Sequence, residues 1–332
     1  MIRVWFNHWF STVYKLIEML REEQAYYIIG TNQFQNAVYR LVCDEFYTEP
    51  VLDGEAYADY CLEFCREHKI DVFIPRRHML SISKRKSDFE ALGVRVMADD
   101  YDKLVKLNYK TKAYESFRDI ESLYIPEYRL VTNANGFKAA YEELRERYRQ
   151  VCFKFERDEG GKSFRLIDNS RTGYHALFKK QSTRMTFDDA YKALSETEEC
   201  SPLIVMPYLP GSELSVDGLV TSRGRILIPR IKTSERAERI EYDSSILKMC
   251  NDILDRCPLE CPFNIQFKYL DDIPYFLEIN TRMSGGFQLS SVAGNINILD
   301  IAINKLLGNE KEWSISEENR LITYVELPLM LG

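Results

Sequence analysis

Residues 275–286, YFLEINTRMSGG, set Glu278, Asn280 and Arg282 at every second position of an otherwise apolar run. Alternate residues of a strand share a face, so these three project together while Leu277 and Ile279 enter the core. Just upstream, Asn264, Gln266 and Lys268 alternate with Phe263, Ile265 and Phe267, and a hairpin turn through Asp271 to Pro274 follows. With the turn centred on Asp272, Ile265 opposes Ile279, Phe267 opposes Leu277 and Tyr269 opposes Tyr275. The same register sets Gln266 opposite Glu278 and Asn264 opposite Asn280 on the other face. One carboxylate and several amides without partners make a costly interior. They suit magnesium, a hard cation that takes a few protein oxygens and completes its octahedron with phosphates. Arg282 is then placed to grip a phosphate with two parallel hydrogen bonds. The alternative is a solvated polar face.

A second stretch, EGGKSF (159–164), invites a phosphate-loop reading and fails it. That loop needs glycine where Glu156 stands and a helix after Ser163, whereas FRLI continues as a strand. What remains is a hairpin tipped by Gly160 and Gly161, whose bare backbone N–H groups can approach phosphate oxygens. Lys154 lies on the strand before it; the alternative is a tight turn beside a surface lysine. No Ser–His or Cys–His pairing suggests a nucleophile, and His8, His68, His78 and His175 read as structural. Cys61 and Cys65, with His68 three residues on, and Cys257 and Cys261 have no second cysteine pair close behind. The eight cysteines therefore read as free thiols in a reducing compartment, not as a zinc site.

These residues need elements to hold them. The 332 residues are 45% hydrophobic and 29% charged, enough for two or three domains with a substantial core. A net charge of −7 argues against a nucleic-acid or anionic-membrane partner. The basic runs Lys84-Arg85-Lys86 and Arg145 to Arg149 read as solvated helix faces. No segment approaches the ~18 apolar residues of a membrane helix. Asn7 and His8 interrupt what would be the apolar core of a signal peptide, so a cytoplasmic location is expected.

In the first hundred residues the runs 2–6, 25–30, 71–75 and 94–98 read as strands. Between them lie helical patterns from Ser11, a good N-cap, to about Glu22, over QNAVYRLVC (35–43), from Tyr57 to His68, and ending at Asp88 to Leu92. That alternation predicts a parallel, doubly wound, Rossmann-like sheet. Gly30 stands without a G-x-G-x-x-G pattern, so a dinucleotide site is not expected. After about residue 105 the pattern changes. Helices over 108–117, 141–150, 243–256 and 297–308, the last amphipathic, accompany strands over 151–167, 203–220 and 225–231 and the opening hairpin. The expected division is 1–105 as one domain and 106–325 as a second, with a lid subdomain at about 125–205.

The order Lys110, Lys154, EGGKSF, VMPYLPGSE, Gln266, LEINTRMSGG resembles the ATP-grasp superfamily. It looks most like the carbamoyl-phosphate-synthetase-like branch, over roughly residues 105 to 308. The opening VWFNHWFSTVYKLIEML looks somewhat like ATP-grasp proteins encoded with tellurite-resistance genes. The resemblance implies an α/β architecture in which a Rossmann-like domain precedes two α+β subdomains clamping ATP. By it, Lys110 and Lys154 contact ATP, and Glu159, Gly160, Gly161, Lys162 and Ser163 cover the phosphates. Met206, Tyr208 and Leu209 form the adenine hinge, and Glu213 binds the ribose. Gln266, Glu278 and Asn280 hold magnesium, two ions with manganese as a substitute, while Arg282 and Lys154 act on the transferring phosphate. The chain departs from the pattern at Pro207, where the hinge often carries an acidic residue, and at Thr281, where proline is usual. It lacks the doubled halves and glutaminase of carbamoyl phosphate synthetase and the M-K-M site of biotin carboxylases.

The implied activity is ADP-forming ligation of a carboxylate to an amine. The γ-phosphoryl group turns the carboxylate into an acylphosphate, and positioned charges do the rest. The alternatives are an ATP-grasp phosphotransferase, a bicarbonate-activating enzyme, or a silent nucleotide-binding sensor or scaffold. Small-molecule carboxylate and amine substrates are the expected partners, with a homodimer admitted. Substrate-binding candidates are residues at carboxyl ends of strands, which open on the ligand crevice of such sheets. These are Asn7, Thr31, Asn32, Arg76 and Arg77, with Arg230 and Lys232 after RILIP.

Overall fold

Apolar residues in consecutive positions, Val4, Trp5 and Phe6 or Ile28 and Ile29, can be buried only in a strand covered on both faces. The computed structural model, which describes residues 1–158, 161–171, 183–234 and 236–330, places them so. Strands β1 (Ile2–Asn7), β2 (Tyr26–Asn32), β3 (Glu45–Thr48), β4 (Val72–Ile74) and β5 (Arg95–Val96) form one parallel sheet in the order β3-β2-β1-β4-β5. Helices α1 (Val13–Glu22), α2 (Gly54–Glu67), α3 (Met79–Lys84) and α4 (Lys86–Ala91) lie in its crossovers. One core holds Val4, Phe6, Leu16 and Ile28, and a second holds Trp5, Ile29, Tyr57 and Phe73. The doubly wound sheet is thus as expected.

Two local expectations fail here. The segment 35–43 is not an α-helix; it makes a 3₁₀ turn at Val38–Val42 and leads into β3, an edge strand absent from the pattern reading. Four residues are too few to show a period. Ser11 does not cap α1 either. The residue before the helix is Thr12, and it makes no side-chain capping bond.

Helices α5 (Tyr101–Asn108) and α6 (Lys110–Phe117) follow, then β6 (Arg129–Val131), α7 (Ala134–Arg147), β7 (Val151–Phe155) and β8 (Arg165–Ile167). Next come β9 (Arg184–Met185), α8 (Phe187–Leu194) and β10 (Leu203–Pro207). These strands form a sheet ordered β6-β10-β7-β8-β9, with Phe137, Phe153 and Val205 in its core. The third sheet takes β11 (Glu213–Thr221), β12 (Gly224–Lys232), β13 (Ala237–Ile240), β14 (Phe263–Leu270), β15 (Ile273–Asn280) and β16 (Arg320–Thr323). Its order is β15-β14-β11-β12-β13-β16. Helices α9 (Ser244–Arg256), α10 (Phe287–Ala293) and α11 (Ile298–Leu306) complete the fold. Asp243 caps α9 through the backbone N–H groups of Ser245 and Ile246.

By internal packing the chain divides into two units. One takes Met1–Leu107, Ser212–Gln266 and Ile279–Gly332; the other takes Asn108–Gly211 and Phe267–Glu278. The first unit's boundary at Leu107 lies close to residue 105, but that unit also takes in most of the third sheet. The hairpin also closes more tightly than expected. Its tip is Asp271-Asp272, both left-handed at φ +49° and +61°, so β14 and β15 meet at Leu270 and Ile273 instead of centring on Asp272. Near the tip Phe267 packs edge-on against Phe276, not Leu277.

The helix expected to be amphipathic, α11, is buried from Ile298 through Asn304, Asp300 included. Its carboxylate is compensated inside the core. The Tyr26 hydroxyl donates to Asp300 Oδ1 at 2.5 Å, Asn304 Nδ2 donates to the same oxygen at 3.0 Å, and Lys311 Nζ lies 2.8 Å from Oδ2. Burial, and then this bond to Asp300, push the Tyr26 phenol far above its ordinary range. We expect Tyr26→Phe to cost about 1–3 kcal/mol, because an inward carboxylate loses its shortest donor. Urea unfolding of the two proteins measures the difference.

Candidate functional site

In the second unit, α6 opens on Lys110, and β7 carries Lys154 three positions into the strand. Glu278 is the residue at which β15 leaves this unit. Lys110 Nζ lies 3.2 Å from Glu278 Oε2, with side chains 6% and 22% exposed. The same ammonium donates to the carbonyl of Asp158 at 3.3 Å. Lys154 is half-buried, not the surface lysine of the alternative reading. Desolvation lowers its pKa, the charge of Lys110 lowers it further, and Glu278 opposes both. Two cations thus lie together in a poorly hydrated place, with the carboxylates of Glu278 and Asp158 both favouring the charged form of Lys154.

The loop after β7 is held by its own side chains. Asp158 Oδ2 accepts from the Ser163 backbone N–H at 2.8 Å and from its hydroxyl at 2.6 Å, and Ser163 Oγ accepts from Phe155 N at 2.9 Å. Gly161 takes a left-handed backbone at φ +64°. Lys162 is exposed. Glu159 and Gly160, and also His175, lie outside the described residues. Buried Glu156 accepts from the Thr111 hydroxyl, which ties α6 to the end of β7.

Met206 and Leu209 are buried and Tyr208 is half-buried around the end of β10, where Met206 pairs with Cys152 and Pro207 with Val151. Tyr208 N bonds Gln150 O at 2.9 Å. Cys152, Leu166, Met206 and Leu209, flanked by Phe164 and Leu277, make an apolar bed in this unit.

In the first unit, Glu213 begins β11 and Gln266 lies on β14, both half-buried. Asn280, at the end of β15, donates to Asn264 Oδ1 at 3.4 Å. Arg282 is half-buried two residues beyond. Arg230 is buried, 3% exposed, and committed. Its Nε donates to Asp217 Oδ2 at 2.9 Å and to Ser290 Oγ at 2.8 Å, its Nη2 lies 2.8 Å from the same carboxylate, and Nη1 pairs with Glu238. Burial opposes its charge, but Asp217 and Glu238 outweigh that and raise its pKa. Asp217 Oδ1 accepts from Asn264 at 2.8 Å and from Ser284 at 2.8 Å. A side chain on Gly286 would meet Arg230 Nη1 at 2.3 Å, so glycine there seats the guanidinium. Lys232 is exposed at the end of β12.

Asp217 and Glu238 were missed by the sequence reading. An aspartate at a buried strand position is the available signal, since it demands a cation. Among the other substrate candidates, Asn7, Thr31 and Asn32 are buried with internal partners. Asn7 bonds the Tyr57 hydroxyl at 2.9 Å and the Arg76 N–H at 2.7 Å. Thr31 Oγ1 accepts from Trp5 at 3.0 Å, and Asn32 Nδ2 reaches the Tyr39 hydroxyl at 3.3 Å. Arg76 stacks 3.9 Å over Phe10, and Arg77 faces Asp53 at 3.8 Å.

All eight cysteines are free thiols. Among the described residues, no helix is long and apolar enough to cross a membrane, and no three His, Cys, Asp or Glu gather as a metal cluster.

Residues 199–327 match a family described as ATP-grasp in the biosynthetic pathway with Ter operon. That match falls outside the opening residues 4–20, from which likeness to tellurite-resistance-linked proteins was drawn. The carbamoyl phosphate synthase large chain of Pyrococcus furiosus is 22% identical over 155 residues, 42% of this chain and 14% of that one. The chain therefore spans about one seventh of that relative. N5-carboxyaminoimidazole synthetase of Staphylococcus aureus, solved with ADP, superposes with a TM-score of 0.70 at 16% identity, over 98% of this chain and 82% of that one. The biotin carboxylase domain of Hydrogenobacter thermophilus 2-oxoglutarate carboxylase, solved with MgADP and bicarbonate, gives 0.69 at 13% identity, over 96% and 72%. An L-amino acid ligase from Bacillus licheniformis gives 0.65 at 12%, over 92% and 74%. The fold is ATP-grasp with a Rossmann-like N-terminal part, as the resemblance implied.

The Asp217–Arg230 pair invites a direct test. Asp217→Ala strands a buried guanidinium beside Glu238 alone and should cost about 3–5 kcal/mol in urea unfolding. The double variant with Arg230→Met should cost less than the sum of the two single changes.

Proposed function

We propose that the chain is an ATP-dependent, ADP-forming ligase that joins a carboxylate to an amine through an acylphosphate. The carrying observation is the pair of ammonium groups, Lys110 and Lys154, brought together beside Glu278, with Lys154 held below the ordinary lysine range despite the carboxylates of Glu278 and Asp158. The reading draws further support from the ADP and MgADP complexes among similar folds, and from a ligase and carboxylases among them.

In this reading residues 1–105 precede an ATP-grasp domain of 106–325, with the lid at about 125–205. The bed around Met206, Tyr208 and Leu209 takes adenine and Glu213 takes the ribose. Lys110, Lys154 and the loop over 159–163 take the phosphates. Gln266, Glu278 and Asn280 hold magnesium. They offer oxygen only, and their single carboxylate leaves positions for phosphate oxygens, which fits a hard cation. When bound, the metal neutralises charge on the β- and γ-phosphates. Lys110 gives up part of its bond to Glu278 and turns to a phosphate oxygen. Lys154 holds the terminal phosphate, and Arg282 steadies it while the carboxylate oxygen attacks phosphorus. The carboxylate alone is a poor electrophile; as an acylphosphate it yields to an amine, and phosphate departs. Lys232, Arg76 and Arg77 border the substrate, while Asn7, Thr31 and Asn32, buried with partners of their own, support the strand ends, and Arg230 acts through its buried network. The molecule works on small substrates in the cytoplasm, with no nucleic-acid or membrane partner.

The test is a screen of pooled carboxylates and amines for ADP release. It continues with an oxygen-18 carboxylate, which should deliver one labelled oxygen to the released phosphate. AMP carrying the label would mean adenylation and would sink the mechanism. Glu278→Ala should abolish ADP formation while its circular dichroism spectrum stays native.

Proton linkage gives an independent measurement. The folded-state pKa of Lys154 lies below its unfolded value, so as pH rises through it the ammonium is lost and its burial penalty disappears. Phosphates favour the charged form and raise that pKa again. Nucleotide binding should therefore take up a proton at alkaline pH, below the ordinary lysine range. Calorimetry in two buffers of different ionisation enthalpy reads the uptake, and Lys154→Met should remove it.

A further inference from the structure

The order in which the chain adds strands reverses between β1 and β4, and in open α/β sheets ligands settle outside the carboxyl ends of strands at such a switch point. His8 follows β1, and Arg76, Arg77 and His78 follow β4, so both banks of this crevice carry ionisable side chains. His8 and His78 have left-handed backbones, at φ +48° and +53°. Non-glycine residues seldom adopt that conformation, and where they do it often marks a site under functional constraint.

Beneath His8 lies Glu49, whose side chain is fully buried, 0% exposed. Its Oε2 accepts from the Tyr57 hydroxyl at 2.8 Å and from Thr31 Oγ1 at 3.1 Å, and its Oε1 lies 2.8 Å from His8 Nδ1. An ionised carboxylate only accepts, so Nδ1 of the ring carries a proton and Nε2 of the neutral ring keeps its lone pair. The His8 side chain is 25% exposed, and its Nε2 makes no hydrogen bond among the described residues. His78 is arranged differently: Arg77 Nε donates to its Nε2 at 3.0 Å, and Asp53 lies 3.4 Å away. Burial and then Arg77 lower the pKa of His78. The groups that act on His8 are thus Glu49 and His78; Tyr57 bonds the same carboxylate, and Arg77 and Asp53 flank His78. Trp9, next to His8, shares one core with Met283, next to Arg282, so both segments rest on common support.

We propose that His8, oriented by Glu49, is the proton acceptor for the amine co-substrate. The assignment rests on the ligase reading above. In the step it serves, the amine nitrogen attacks the acyl carbon and the C–N bond forms. The C–O bond to phosphate breaks with its electron pair on the departing phosphate, and the proton shed by nitrogen passes to His8 Nε2. Glu49 is a positioning residue that fixes the tautomer and stabilises the imidazolium. The sequence pattern had assigned His8 to structure because β3, and with it Glu49, was not visible.

His8→Asn tests this, since asparagine tolerates the left-handed backbone and has no basic nitrogen. The carboxylate mixture of the ADP screen is supplied with pooled amino acids in one arm and hydroxylamine in the other. Hydroxylamine is uncharged at neutral pH and attacks without a base. The variant should lose amide formation by roughly 10²- to 10⁴-fold and be rescued by hydroxylamine, read as hydroxamate and ADP. Equal loss in both arms, or loss in neither, overturns the assignment of His8 alone. A wild-type protein that forms neither ADP nor hydroxamate overturns the ligase reading, and this assignment with it.

Discussion

Charge balance around Glu278 governs the candidate site. Two ammonium groups in a half-desolvated place repel one another, and the carboxylates of Glu278 and Asp158 offset that only in part. The structure tolerates this by giving Lys110 the Glu278 carboxylate and a backbone carbonyl while Lys154 accepts a lowered pKa. In the proposed reading a phosphate chain supplies the remaining negative charge.

The first unit handles its buried charge in the opposite way. Arg230 is saturated by Asp217, Glu238 and two serines. It therefore behaves as a rigid strut under the segment that carries Asn280, Ser284 and Gly286. The contrast separates the cations by role. A lysine with a depressed pKa is poised for a ligand, whereas an arginine with every strong partner supplied organises what lies beside it.

Legibility in the sequence followed period and spacing. The polar positions Glu278 and Asn280 were legible because a two-residue period needs only a few residues to declare itself, but β15 ends at Asn280, before Arg282, and buries Phe276 and Ile279 where Leu277 and Ile279 were expected. The parallel sheet was plain because its strands are apolar on both faces. What escaped was short or nonlocal. Strand β3 has four residues and Asp217 sits in an apolar run, so neither announces the partner that gives it meaning. Glu49 is silent in one dimension, since Thr31, Tyr57 and His8 come from three other elements. The tip of the hairpin was misplaced because two adjacent aspartates in left-handed conformation close a two-residue turn, tighter than one centred on Asp272.

Gly286 owes its identity to a neighbour's side chain. Its backbone conformation, φ −102° and ψ 4°, is open to any residue, and only the guanidinium of Arg230 forbids a Cβ. Positions 230 and 286 are therefore sterically tied. Shortening the arginine releases position 286 to accept alanine or serine, whereas with the arginine in place the glycine is required.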